Sequence, residues 1–228
     1  MKIRLVHILT DIHSQREQAS IASLAPVANY GIEYVQSVNE IYNGDKWQKT
    51  KNWANEIYPN HSQRHYGAFD SFRKAVLLNF DYDIDALILC ECDCVLTVPA
   101  EVFAFQVFSS LDFCRKGNLS YYSFGTHTIN DIIQSTEHDS DDEFPHSYIT
   151  DKIVCAHCIM IPNHERNFVM SEIAYRPWET PDVWFNMVFH TRGISKFGII
   201  RERMAKQHEG ISLIDNHFKN EQNFKGVY

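Results

Sequence analysis

The chain has 228 residues, 44% hydrophobic and 22% charged, which suits one well-packed core and excludes wholesale disorder. A formal net charge of −8, with no local basic cluster to offset it, argues against a nucleic-acid-binding face. No apolar run approaches the roughly 20 residues that span a bilayer, and MKIRLVHILT lacks the length and cleavage site of a secretory leader. The expectation is therefore one cytoplasmic domain over residues 1–228, with reduced thiols.

Ile3–Thr10 (IRLVHILT) is apolar and reads as the first strand. Ser14-x-x-Glu17 has the form of a capping box and opens a helix to about Ala25, with Pro26 disturbing its last turn. Gly31 closes that segment, and Ile32–Val38 reads as the second strand. Strand, helix and strand in this order make a βαβ unit with a right-handed crossover. Its first loop, Leu9, Thr10 and Asp11, then lies at the carboxyl edge of the sheet, where open α/β folds bind ligands. The loop has neither G-x-G-x-x-G nor G-x-x-x-x-G-K-[ST], which disfavours a dinucleotide fold and a P-loop.

Glu40–Ser62, with Trp47, Trp53 and Tyr58, reads as a polar surface excursion. From Gly67 the apolar residues Ala68, Phe69, Phe72, Ala75 and Val76 recur at helical spacing. Arg64 precedes this helix. A helix start at the same edge favours an anion, so Arg64 is a candidate phosphate or base contact, and an ordinary solvated arginine fits the sequence equally well.

The chain is organised around Ala86–Leu96, ALILCECDCVL. Its first five residues suit a strand buried on both faces. Read as one continuous strand, it points Glu91 and Asp93 to one side and Cys90, Cys92 and Cys94 to the other. Carboxylates at the end of a central strand form a hard-oxygen site for Mg²⁺ or Mn²⁺. Residues two apart in a strand are about 6.6 Å apart, so Asp93 is the expected direct ligand, and Glu91 acts through water or a sugar hydroxyl. The same spacing keeps the three cysteines from converging on one ion. They are read as small core residues rather than a zinc site.

Pro99 starts a helix over Ala100–Leu111. Ser120–Phe124 is a short strand candidate, Asn130–His146 an acidic loop without calcium-ligand spacing, and Ile153–Ile161 another apolar strand. In Arg176–Asn186, RPWETPDVWFN, Pro181 and Asp182 suit a helix start. Trp178 and Trp184 flank Glu179 and Asp182, as aromatic walls around a sugar-handling carboxylate would. Ile194–Ile200 reads as the last strand, followed by Arg201, Arg203, Lys206 and His208 before Gly210. A histidine that is neutral near pH 7 is available to a metal.

The order of these features resembles a GT-A-fold glycosyltransferase over nearly the whole chain. LILCECDCVL looks like that family's acidic metal motif, with Glu91 where the first aspartate usually stands. RPWETPDVWFN is similar to the acidic segment that begins the acceptor-side helix, and KQHEGISLID looks like the carboxy-terminal segment that returns a histidine to the metal. The resemblance implies an α/β, Rossmann-like fold with a mixed, mostly parallel central sheet flanked by helices. Residues 1–98 would form the nucleotide-binding half and 99–228 the acceptor-side half. It further implies Mn²⁺ or Mg²⁺ held by Asp93, His208 and Glu91, a nucleotide-sugar donor with UDP the commonest nucleotide, and a carbohydrate or glycoconjugate acceptor. Leu9, Thr10 and Asp11 would line the nucleoside, while Arg201, Arg203 or Lys206 would offset charge on the leaving diphosphate. An inverting reaction needs a base, for which Asp182 is favoured over Glu179; a retaining one does not. Two rival readings are a sugar-phosphate nucleotidyltransferase, whose glycine-rich first loop is missing from Thr10–Ser14, and a non-catalytic carbohydrate-binding protein.

Overall fold

The computed structural model describes residues 1–10, 13–39, 63–125, 144, 146–150, 157–175, 181–193, 197–208, 210–211 and 218–219. Strand β1 (Ile3–Leu9) leads into helix α1 (Gln15–Leu24), a 3₁₀ turn (Ala25–Tyr30) and strand β2 (Ile32–Val38). Ser14 caps α1, its hydroxyl accepting the Glu17 N–H. Pro26 ends the α-helical course after Leu24, and Gly31, at φ +85°, terminates the turn in a conformation that glycine adopts without strain. Helix α2 (Gln63–Asn79) then precedes the central strand β3 (Ala86–Cys90).

The rest of the chain comprises β4 (Cys94–Leu96), α3 (Ala100–Gly117), β5 (Tyr122–Ser123), β6 (Ser147–Thr150), β7 (Cys158–Pro162), α4 (Arg166–Tyr175), α5 (Pro181–Thr191) and β8 (Phe197–Ile200). Three further short strands follow: β9 (Ala205–Gln207), β10 (Gly210–Ile211) and β11 (Phe218–Lys219). Ile194–Ile200 is therefore not the last strand, and β6 is a strand that the sequence pattern did not suggest.

Seven strands form one sheet in the order β2-β1-β3-β7-β5-β8-β6. Pairing is parallel for β1–β2, β1–β3 and β5–β8 and antiparallel for β3–β7, β5–β7 and β6–β8. Strands β1, β2, β3, β5 and β8 thus run one way, and β6 and β7 the other. The observed class is the α/β one expected, with a mixed, mostly parallel sheet flanked by helices.

Side-chain alternation sorts the core into two layers. Ile3, Leu5, Ala86, Ile88, Cys158 and Met160 face α1 and α3, where Leu24, Phe103 and Val107 pack. Val6, Ile8, Leu87, Leu89, Ile159 and Ile161 face α2, α4 and α5, where Phe72, Val169 and Phe185 pack. All five residues of β3 are buried, as expected for the middle strand of a covered sheet. Among the described residues, no helix is long and apolar enough to cross a membrane.

Candidate functional site at the carboxyl edge of the sheet

Three helix starts converge on the edge where β1 and β3 end. Helix α1 begins there because it follows β1 directly. The far end of α2 lies at the opposite edge, where Arg4 Nη1 donates to Asn79 O at 2.8 Å. The far end of α5 lies there too: Arg192 Nη1 reaches Glu165 Oε2 at 2.6 Å, just beyond the end of β7. The first turns of α2 and α5 therefore face the carboxyl edge, bringing the backbone of Arg64 and Asp182 to the edge where Asp93 sits. The side chains of Arg64 and Asp182 are outside the described residues, as are Asp11, Glu179, Trp178, residues 40–62 and most of the acidic loop.

The acidic segment is not the extended strand its apolar flanks suggest. Strand β3 stops at Cys90, Glu91–Asp93 turns with the Cys94 N–H donating to Glu91 O at 3.0 Å, and β4 begins a second, two-stranded sheet with β9. The expected division of faces is thereby overturned. Cys90 and Cys94 share the buried layer with Cys158, whereas Cys92 lies against Arg16, its Sγ 3.6 Å from Nη2. Asp93 is buried at 5% exposure, and Glu91 is half-buried.

Strand β9 returns the chain to this turn. Cys94 is opposite Gln207, Val95 opposite Lys206 and Leu96 opposite Ala205. One residue on, the His208 N–H donates to Asp93 O at 2.6 Å, while Gln207 Nε2 donates to Glu91 Oε2 at 3.0 Å. The structure thus puts Glu91, Asp93 and His208 at one place, although their three ligand atoms do not all lie within 4.8 Å of one another. Lys206 is in β9, two residues from His208. Arg201 follows β8, its guanidinium 5.7 Å from the Tyr148 ring centre. Three strand spacings, about 14 Å, separate that position from β3, so the structure does not bring Arg201 to Asp93.

The cation that does stand at Asp93 is Arg16, which the sequence reading missed. Its Nη1 lies 3.6 Å from Asp93 Oδ2, and the two side chains are 15% and 7% exposed. The signal for it is positional: a basic residue in the first turn of the helix that follows the first strand. Beside it, the Glu17 carboxylate accepts the Thr10 N–H at 3.0 Å and the Thr10 hydroxyl at 2.6 Å, holding the loop after β1 against α1. Leu9 is buried, and its carbonyl accepts from the Asn39 N–H at 2.8 Å. Of the predicted nucleoside loop, Thr10 is thus the described residue with partial exposure.

Beneath the turn runs a buried polar relay. The Ser20 hydroxyl donates its only proton to Cys94 O, so His7 Nε2–H is the donor to Ser20 Oγ at 2.9 Å. His7 Nδ1 then accepts from the Tyr34 hydroxyl at 2.9 Å. Burial pushes the His7 pKa down to about 4, outweighing the Glu91 and Cys92 backbone groups that raise it. Burial likewise raises Tyr34 to about 12. The imidazole is neutral near pH 7, which the relay requires. Trp184, expected beside an open carboxylate, is instead fully buried against Phe69 and Phe185, with ring centres 6.0 and 5.0 Å away.

No protein-family model and no curated protein sequence matches the chain. Among solved structures, it is similar to a glycosyltransferase involved in the glycosylation of the major capsid of PBCV-1, with TM-score 0.48 and 9% identity over 93% of this chain and 95% of that one. It is also similar to mouse xyloside xylosyltransferase 1, with TM-score 0.40 and 10% identity over 85% and 83%. A third is the bifunctional glycosyltransferase WbbM, with TM-score 0.45 and 13% identity over 84% of this chain and 38% of that one. At such identities the likeness concerns the course of the backbone, and no residue role passes from these proteins to this chain.

Proposed function

We propose that the chain is a metal-dependent glycosyltransferase that moves a sugar from a nucleotide-sugar donor, a UDP-sugar, to an acceptor hydroxyl. The observation that carries the reading is the return of β9 to the acidic turn, with His208 N–H on Asp93 O and Gln207 on Glu91. A chain that needed Glu91–Asp93 only to end a strand would gain nothing from bringing the backbone of a histidine back to them at a ligand-binding edge.

Two carboxylates and an imidazole suit Mn²⁺ or Mg²⁺. Such an ion is commonly held by one or two carboxylates together with substrate phosphates and waters rather than by a protein cage, so it does not need all three side chains as direct ligands. Asp93 and His208 would hold it, and Glu91, already oriented by Gln207, would act through water or a sugar hydroxyl. When bound, the ion offsets charge that grows on the leaving diphosphate.

The chain's own groups supply the rest. Arg16 and the start of α1 offer positive charge at the same edge, and Lys206 is two residues from His208. Thr10 is fixed by Glu17 where a nucleoside would pass. Asp182 is the proposed base for the acceptor hydroxyl if the reaction inverts, with Glu179 as the second choice. A thermal-shift screen of nucleoside diphosphates with and without Mn²⁺ tests the donor site, because a ligand that binds only the folded chain raises its melting temperature. Stabilisation by UDP that requires Mn²⁺ is expected; equal shifts without metal would count against the site.

A further inference from the structure

Three of the cysteines that the sequence spreads over LILCECDCVL and CAHC meet on three different strands. Cys90 ends β3, Cys94 opens β4 and Cys158 opens β7. Cys90 and Cys158 are register partners, and the neighbouring Glu91 N–H donates to His157 O. Cys90–Cys158 is therefore a pair without its own ladder bonds, the kind whose side chains stand closest. Their sulfurs are 3.6 Å apart. The turn over Glu91–Asp93 brings Cys94 back to the same layer, so that all three sulfurs lie within 4.8 Å of one another, each residue being 0% exposed.

Core packing alone accounts for buried cysteines, but it does not require sulfurs from three strands to point at one another. A soft ion does. With metal–thiolate bonds of about 2.3 Å, neighbouring sulfurs sit about 3.8–4.0 Å apart, between the 3.6 Å observed for one pair and the 4.8 Å bound on all three. The hard-cation residues Glu91 and Asp93 are not members of this group.

We propose that Cys90, Cys94 and Cys158 form a buried three-thiolate site for a soft d¹⁰ cation, Zn(II) or Cu(I). Binding forms three metal–sulfur bonds, releases a proton from each of the three cysteines still held as a thiol and transfers no electrons. The ion would tie β3, β4 and β7 together at the base of the Glu91–Asp93 turn. The proposal does not depend on the glycosyltransferase reading.

The test titrates reduced, metal-free protein anaerobically with Zn(II), and separately with Cu(I), against a chromophoric chelator. The expected result is one tightly bound equivalent of at least one ion in the parent and in Cys92→Ser. Affinity should fall more than about 100-fold in Cys94→Ser and Cys158→Ser, since loss of a direct ligand should exceed the 10–100-fold effect of an outer-shell partner. X-ray absorption of the loaded parent needs no variant, and should show three sulfur neighbours at about 2.3 Å. The proposal is overturned if the parent binds neither ion or the metal shell is nitrogen and oxygen. A tight equivalent lost in Cys92→Ser, or a Cys90–Cys158 disulfide in unreduced protein, would overturn it as well.

Discussion

Replacing Asp93 by Asn separates the charge of this residue from its shape. Asp93 Oδ2 is 3.6 Å from Arg16 Nη1, with both side chains mostly buried. At that distance and an effective dielectric of about 20, the gross Coulomb attraction is about 4.6 kcal/mol. Desolvation offsets much of this. Asn removes the charge from an ion pair that is longer than a hydrogen bond, so the net loss should fall between that of an exposed pair and that of a fully buried one, at about 2 kcal/mol. Against a total stability of about 5–15 kcal/mol the chain stays folded, with a melting temperature lower by about 4–8 °C. The same substitution in an Arg16→Gln background should cost less, because the partner is already gone. Activity should respond differently: Asn has the shape but not the charge that a hard cation needs, so metal-dependent turnover should disappear while the fold remains. The assays are thermal melting beside Mn²⁺-stimulated sugar transfer. Parental activity and Mn²⁺ dependence in Asp93→Asn would refute the reasoning.

The backbone N–H of His208 that binds Asp93 survives in His208→Ala, so this variant should keep the turn in place. It should need more Mn²⁺ for half-maximal activity and regain part of its rate at high Mn²⁺; an unchanged half-saturation would remove His208 from the ligand set. Ser20→Ala leaves Cys94 O and His7 Nε2 without their buried partner and should destabilise by about 1–3 kcal/mol, read by urea titration, with a parental midpoint contradicting the relay. Because the His7 pKa is lowered to about 4, the unfolded chain takes up that proton first as pH falls. The contribution of neutral His7 is complete above its ordinary pKa of about 6.5, and about 3 kcal/mol is lost as pH falls from there to about 4. His7→Gln should show a correspondingly flatter stability–pH profile between those limits, and an identical profile would contradict it. Asp182→Asn should leave UDP–metal binding near parental while cutting transfer about 10²–10⁴-fold. Near-parental transfer would reduce Asp182 to a helix-start residue, since Asn serves at helix starts about as well as Asp.

Strands β1 and β2 and helix α1 were legible because apolar runs, a capping serine and a terminating glycine all agree over Ile3–Val38. The turn after β3 was not. CECDC holds neither glycine nor proline, and apolar residues on both sides of it imitate a continuous strand. The convergence of Cys90, Cys94 and Cys158 followed that error, since it exists only because the chain turns. Trp184 shows the opposite lesson. Its helical spacing with Val188, beside Phe185 and Phe189, marks a buried stripe, and all four residues are fully buried. Strand β6 is four residues long beside an acidic stretch, too short for its alternation to stand out. The order of motifs foreshadowed the meeting of Asp93 with His208, but the Arg16 contact depends on how α1 packs beside the turn.

The most direct measurement is release of free nucleotide when the purified chain is incubated with a panel of nucleotide sugars and Mn²⁺, alone and with simple glycoside acceptors. Acceptor-stimulated release of UDP from one UDP-sugar, abolished by chelation and by Asp93→Asn, is the predicted result. A folded, Mn²⁺-loaded chain that releases no nucleotide from any donor, or releases it equally well after chelation, would contradict metal-dependent glycosyl transfer at this site.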